Sequence, residues 1–368
     1  EEIFLNIVHV PAINTTGKKA LLGYIPESYT LPADHPNFLG HSNFQECRTL
    51  IECLSEQGYD VDVVNWDADM RAVGKADYDL LIALDFQLEY AKTLVKPSGK
   101  VILYATGCHW SFANPAEYGR INQLKERRGV MLLPRRQSKP FSCEGKIDEI
   151  WYLGNDFTRD TYAHHRVPKH RLNISIIESP VIEKNDFQQN HFLWFASAGA
   201  VHKGLDWLLE IFSRNSELHL HICGLVELEK DFYELYYREL HELPNIHFHG
   251  WVLPNSTQFQ TILKQCSYVV SPSCSEGGGG ATLQCMYAGL IPIVTRASSV
   301  DAEDCGFVSA QDTFVEVEKS IKKASLLSAD ELAKKSHQSR EYVLNHHLLK
   351  HYKQAVLKRL QSSQCVVV

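Results

Sequence analysis

The sequence predicts an α/β protein with two Rossmann-like halves and a helical tail, and three observations predict it. Short apolar runs alternate with stretches whose apolar residues recur at helical spacing, the rhythm of a parallel sheet covered by helices. The rhythm pauses at a polar stretch, Ser179–Gln189, and then restarts. At 368 residues the chain is long for a single core. The expected division is 1–182, 183–344 and a tail of 345–368.

In the first half, Lys19–Ile25 reads as a strand. Phe44, Cys47, Leu50, Ile51 and Leu54 then mark a helix over 43–57, stopped at Gly58. Strands follow at "YDVDVVNW", "YDLLIALD" and "GKVILYAT", then a helix marked by Tyr118, Ile121 and Leu124, and a strand at "IDEIWYLG". After the pause come the strands "FLWFASA", "LHLHICG", "NIHFHGW", "YVVSPS" and "LIPIVT", with helices between them. Ser328 and Glu331 form a capping box, and Leu344, Leu348, Tyr352 and Leu360 place a last helix.

Composition narrows the function. A net charge of −7 argues against a nucleic-acid binder. No apolar run reaches the roughly 18 residues of a membrane span, and Glu1-Glu2 does not open a signal peptide. The expectation is a cytoplasmic protein, at most peripheral to a membrane. Ten cysteines without a CxxC pair read as reduced core residues.

Four consecutive glycines, Gly277, Gly278, Gly279 and Gly280, stand between a strand and a helix and directly after Glu276. Strand, glycine-rich turn and helix N-terminus together make an anion site, because free N–H groups and the positive end of the helix dipole face the turn. No GxGxxG follows the first strand, so this is not the dinucleotide fingerprint.

"SCSEGGGGATLQCMYAGLIPIVT" resembles the donor segment of retaining GT-B glycosyltransferases of the family 4-like group, through Glu276, Gly277, Ala288, Gly289 and Pro292. "AGAVHKGLDWLLEIF" resembles the lysine–glycine segment of the same family, and "HICG" and "IHFHGWV" its second and third C-terminal strands. The resemblance implies two Rossmann-like domains facing across a cleft, with the C-terminal helix crossing back to the N-terminal domain. It implies transfer of a sugar from a nucleotide-sugar donor, with retention, without a metal and without a cofactor, to an acceptor it does not identify.

Residue by residue, the resemblance puts Lys203, His202, the four glycines, Gln284, Gly224, Trp251 and Val252 at the donor, with Glu276 catalytic. "ILYATGCHW" resembles a strand-end T-x-H segment, which makes His109 the catalytic partner across the cleft. Gly40 and His41 fall on the acceptor-side loop. Two positions depart from the family. Gln284 replaces the glutamate that holds the ribose, and Ala198 replaces an arginine five residues before the lysine, for which His202 or Arg296 is a candidate substitute. These departures keep two other readings open: a non-catalytic GT-B subunit that binds sugar nucleotides or a protein partner, and a nucleotide-sugar epimerase.

Three further groups stand out. Asp67 and Asp69 form a DxD, read as a polar strand terminus rather than a cation site. His219, His221, His247 and His249 share one sheet face and read as a hydrogen-bonded layer, with zinc the sharper alternative. The basic segment Arg120–Lys139 is either a solvated helix end or a patch for an anionic membrane or a phosphorylated acceptor.

Overall fold

The computed structural model describes residues 6–74, 77–180, 182 and 187–362. The expected boundary between residues 182 and 183, and the end of the tail, lie partly outside the described residues.

The N-terminal strands are β1 (Val8–Val10), β2 (Lys18–Tyr24), β3 (Tyr59–Asn65), β4 (Tyr78–Ala83), β5 (Val95–Ala105), β6 (Glu149–Tyr152) and β7 (Lys169–Arg171). They form one sheet in the order β1-β3-β2-β4-β5-β6-β7, parallel except for β1. The short edge strands β1 and β7 carry no apolar run, which is why the sequence pattern passes over them. The second sheet comprises β8 (His191–Phe195), β9 (His219–Cys223), β10 (Ile246–Gly250), β11 (Tyr268–Ser271), β12 (Ile291–Val294) and β13 (Phe307–Val308). Its order is β10-β9-β8-β11-β12-β13, all parallel.

Nine helices matter for the site. In the N-terminal half these are α1 (Asn43–Glu56), α2 (Trp110–Arg128) and α3 (Asp156–Thr161). In the C-terminal half they are α4 (Leu205–Phe212), α5 (Thr257–Gln265), α6 (Gly280–Tyr287), α7 (Phe314–Ala324), α8 (Ala329–His346) and α9 (Leu349–Ser362). Ser328 and Glu331 cap α8 reciprocally, as the capping box requires. The nine described cysteines are buried and form no disulfide with one another.

Helix α9 returns to the first sheet. Tyr352, Val356 and Leu360 join a core with Leu50, Leu54 and Val63. Its polar edge reinforces the return: Tyr352 meets the Tyr104 hydroxyl at 3.0 Å, and Lys353 pairs with Glu56 at 2.9 Å.

Helix α2 crosses the other way. Ile121 and Leu124 share a core with Trp207 and Leu208 of α4. Arg120 is buried there, stacks over the Trp207 ring at 3.4 Å and donates to the Pro272 carbonyl at 2.8 Å. Arg127 reaches Asp206 at 2.5 Å and Glu210 at 2.9 Å, Arg128 reaches Glu239 at 2.6 Å, and Arg135 reaches Asp231 at 2.5 Å. Three arginines of the basic segment therefore face carboxylates of the second domain and Arg120 is buried against it, so part of Arg120–Lys139 forms a clasp between domains that neither reading of the sequence foresaw.

Asp67 and Asp69 follow the polar-terminus reading. Asp67 accepts from Asn65 at 2.7 Å, and Asp69 pairs with Arg71 at 2.5 Å.

Candidate functional site

The two sheets meet along a cleft of about 1140 Å³ of empty space, open to solvent. Its C-terminal wall is lined by Lys203, Trp251, Glu276, Gly277, Gly279 and Gly280, and its N-terminal wall by Gly40, His41, Glu46, Thr106 and Arg136. The connection between domains, Ile174–Ile177, closes one side. Segments following β5, β8 and β11 contribute to it, as expected where ligands gather at the carboxyl ends of parallel strands.

The glycine run answers two separate demands. Gly278 and Gly279 have φ of +109° and +59°, left-handed backbone that other residues adopt at a cost. Gly277 is needed for a different reason: a Cβ there would stand 2.0 Å from the Thr106 carbonyl oxygen of the other domain. The run is thus both a turn into α6 and the seam where the two walls touch. Gly279 caps α6 and Gly280 opens it, so the N–H groups of this first turn have no intrahelical acceptor, and both residues line the cleft.

Glu276 is fixed by its own backbone. Its carbonyl accepts from Cys108 at 3.2 Å, Thr158 at 3.3 Å and Ser299 at 3.2 Å, donors drawn from both domains. Its carboxylate pairs with Lys203 Nζ at 2.5 Å. Burial alone would raise this carboxyl, but Lys203, His202 and Arg136 outweigh it and hold it down at about 2. The anion is therefore kept charged inside a cleft where charge interactions are strong. Gly204, after the lysine, has φ of +70°, and a Cβ there would meet the Pro272 carbonyl oxygen at 2.7 Å, so the lysine–glycine pair seats closely on the strand beside it.

Opposite stand His41 and Arg136. His41 Nδ1 accepts from the Asn43 N–H at 3.1 Å, which leaves Nε2–H to face the cleft. Desolvation at the cleft wall and then Lys203 lower its pKa. The Arg136 backbone is held by Glu117, which accepts its N–H at 3.0 Å. The Arg136 side chain passes over Gly199, where a Cβ would stand 2.8 Å from Arg136 Cγ. An arginine side chain from the N-terminal domain thus passes beside Gly199, next in sequence to Ala198, the position where the resembled family carries an arginine. His202 and Arg296 do not fill that place. His202 is buried and donates Nε2–H to the Ser275 carbonyl at 2.6 Å, and Arg296 lines a separate cleft with Asp301 and Glu303.

The sequence singled out neither Glu46 nor the cleft role of Arg136. Glu46 is buried, lines the N-terminal wall and accepts from the Ser175 N–H at 2.6 Å and the Ser175 hydroxyl at 2.8 Å. Burial pushes its carboxyl up to about 7. Its only sequence signal was an acidic residue at a helical core position.

Several expected residues lie elsewhere. His109 is a correction: it caps α2, packs among Trp110, Phe141, Tyr162, His164 and His165, and does not line the cleft. Its strand-end position turns it beneath the sheet edge, while Thr106, three residues earlier, takes the cleft wall. His202 braces the Cys274–Glu276 segment instead of facing the cleft, with the Cys274 N–H donating to its carbonyl at 2.9 Å. Gly224 and Val252 lie outside the lining; Gly224 packs under the Trp194 ring and Val252 is buried. Gly278 turns its backbone toward Gly154.

Gln284 lines the cleft, yet both ends of its amide are engaged. Oε1 accepts from the Ile177 N–H at 2.9 Å, and Nε2 donates to the Ile177 carbonyl at 2.9 Å. An amide is complementary to a peptide group in this way and a carboxylate is not, which gives the Glu-to-Gln departure a structural reason.

Comparison with known proteins now has a geometry to attach to. Residues 189–324, little more than a third of the chain, match the family described as glycosyl transferases group 1. No curated protein sequence matches. Among solved structures, a sucrose-phosphate synthase from Thermosynechococcus elongatus aligns with a TM-score of 0.63 at 12% identity, over 95% of this chain and 99% of that one. HepE of Anabaena, in complex with UDP and glucose, aligns with a TM-score of 0.56 at 11% identity, over 94% and 99%. The fold is GT-B. A TarM variant of S. aureus, in complex with fondaparinux, alpha-GlcNAc-glycerol and UDP, aligns with a TM-score of 0.53 at 14% identity. There the GT-B chain described here matches over 79% of its own length but spans only 58% of TarM.

Proposed function

We propose that this chain is a glycosyltransferase that moves a sugar from a nucleotide-sugar donor to an acceptor with retention, and without a metal at the diphosphate. The observation that carries the reading is the Lys203–Glu276 pair at the mouth of the glycine turn, with Arg136 facing it from the other domain. Breaking the bond between the anomeric carbon and the diphosphate oxygen leaves negative charge on the diphosphate. Lys203, Arg136 and the amide N–H groups of the glycine run are aimed at that charge. Glu276, held ionised, stabilises the positive character that develops on the sugar. The acceptor hydroxyl approaches past Gly40 and His41, and its proton passes to the departing diphosphate oxygen as its own oxygen bonds to the anomeric carbon. The match to glycosyl transferases group 1 supports this reading, and the UDP complexes of HepE and TarM make UDP the first nucleotide to try.

A second reading has its own observation: Gln284 is spent on the Ile177 backbone, so ribose loses a holder and the chain binds without turnover. Thermal-shift titration with UDP, GDP, ADP and their sugars, with and without EDTA, comes first. A ligand at 100 times its dissociation constant adds about 2.7 kcal/mol. An EDTA-independent shift followed by turnover supports the transferase. A shift without turnover moves the assignment to the binding subunit, and conversion of the donor without an acceptor moves it to an epimerase. No shift with any nucleotide removes the donor site itself.

A further inference from the structure

The chain contains two histidine groups, and they differ in how their ring nitrogens are used. On the second sheet, His191 bonds His221 at 2.9 Å, His219 bonds His247 at 3.1 Å and His221 bonds His249 at 3.1 Å. Each contact joins Nδ1 of one ring to Nε2 of the next, so these imidazoles satisfy one another. That ladder matches the hydrogen-bonded reading of the sheet face.

The second group is His109, His164 and His165 on the N-terminal domain. Their ligand atoms lie within 4.8 Å of one another, yet among the described residues no hydrogen bond joins the three rings. His164 and His165 are ring neighbours at 4.2 Å between centroids, and His109 and His164 at 4.5 Å. Three imidazoles gathered without bonding each other are paired with nothing that explains their convergence.

We propose that His109, His164 and His165 form a binding site for a divalent transition-metal ion of borderline softness, with zinc the natural occupant. Imidazole nitrogens suit such an ion at about 2.0–2.1 Å. Of the three, His164 is exposed while His109 and His165 are buried. His109 is already oriented for the task. Its Nδ1 is engaged within its own turn, 2.7 Å from the Ser111 hydroxyl and accepting from the Ser111 N–H at 3.3 Å, which leaves Nε2 as the ring nitrogen for the metal. A second hydrogen bond of this kind is what usually fixes a metal-bound imidazole. Cys143 is buried beside the set, with its Sγ 3.9 Å from His165 Nε2.

The site lies outside the donor cleft and assists it at a distance. His109 starts α2 three residues after Thr106, which lines the cleft wall beside Gly277. An ion joining His109 to the His164–His165 loop would stiffen that wall.

The test uses the full chain, stripped with chelator and titrated with zinc alone by calorimetry and with cobalt alone by absorption. One equivalent should bind, with the intense visible bands of four-coordinate cobalt and a rise in Tm on zinc addition. His164→Ala should weaken binding at least about tenfold, while its metal-free Tm stays at the wild-type value because the ring is exposed. His219→Ala, on the ladder, should bind as wild type. Absence of binding, the weak spectrum of six-coordinate cobalt, or loss of binding in His219→Ala rather than His164→Ala would each overturn the site.

Discussion

Each wall of the cleft holds one buried carboxyl, and the walls treat them in opposite ways. Glu276, on the C-terminal wall, is surrounded by Lys203, His202 and Arg136 and is held at about 2. Glu46, on the N-terminal wall, has backbone and hydroxyl partners but, among the described residues, no cation paired with it, and burial lifts it to about 7. The same residue type therefore serves as a fixed charge on one side and as a titrating group on the other. Local sequence accounts for the first, because Glu276 and its glycines form one contiguous motif. Glu46 acquires its environment only when α1, the interdomain connection and α9 pack together.

The largest effect tests the fixed charge. Glu276→Ala should lower kcat at least about a thousandfold, or about 4 kcal/mol, with the far-UV circular dichroism unchanged. The backbone carbonyl of residue 276, with its three donors, remains in the variant, so the fold should survive. Full activity in Glu276→Ala would remove the catalytic role.

Next comes the seam between the walls. Gly277→Ala places a methyl 2.0 Å from the Thr106 carbonyl oxygen, a backbone atom that cannot rotate away. The walls must part, at a cost of roughly 2–3 kcal/mol, read as a fall in Tm and a weaker nucleotide shift. Gly40, on the opposite wall, has open space where a Cβ would go, so Gly40→Ala should leave Tm within about 0.5 kcal/mol of wild type.

Arg136 tests whether a cation from the N-terminal wall serves the donor. Arg136→Ala should raise the donor KM about ten- to a hundredfold, roughly 1.4–2.7 kcal/mol. Arg136→Lys should recover part of that loss if charge is what matters, and little of it if the planar guanidinium is needed. An unchanged donor KM in Arg136→Ala would confine Arg136 to the interdomain clasp.

The sequence made the C-terminal wall legible because its chemistry sits on short contiguous stretches: Lys203–Gly204 after one strand and Glu276–Gly280 after another. The N-terminal wall draws on Gly40–Glu46, Thr106, Arg136 and Ile174–Ile177, segments that no spacing in the sequence connects. His109 shows the same limit. Its place after β5 was readable, but which way its ring turns depends on Phe141, Tyr162 and His165, residues far along the chain. The basic segment was conspicuous as charge, and only packing of α2 onto α4 reveals the carboxylates it answers. Gln284 read as a weakened ribose ligand because its partner, the Ile177 peptide, carries no side-chain signature.

The smallest effect concerns Glu46 and has a definite sign. Its folded pKa of about 7 lies above the ordinary value of 4.5 that the unfolded chain retains. Between those limits the unfolded carboxyl has lost its proton while the folded one keeps it. The folded state then binds more protons, so stability falls as pH rises from about 4.5 to about 7 and levels off above that. At pH 6 the penalty is on the order of 1–2 kcal/mol. Glu46→Gln, which keeps an acceptor for Ser175 but cannot ionise, should flatten this part of the stability curve without removing the hydrogen bonds. Glu276 contributes no slope in that window, because a group held near 2 loses its contribution only as pH falls from about 4.5 through 2. Denaturant melts of wild type and Glu46→Gln at pH 5, 6, 7 and 8 would separate the two carboxyls. Parallel curves would mean that Glu46 is ionised throughout, and the contrast between the walls would then lie in position alone and not in charge state.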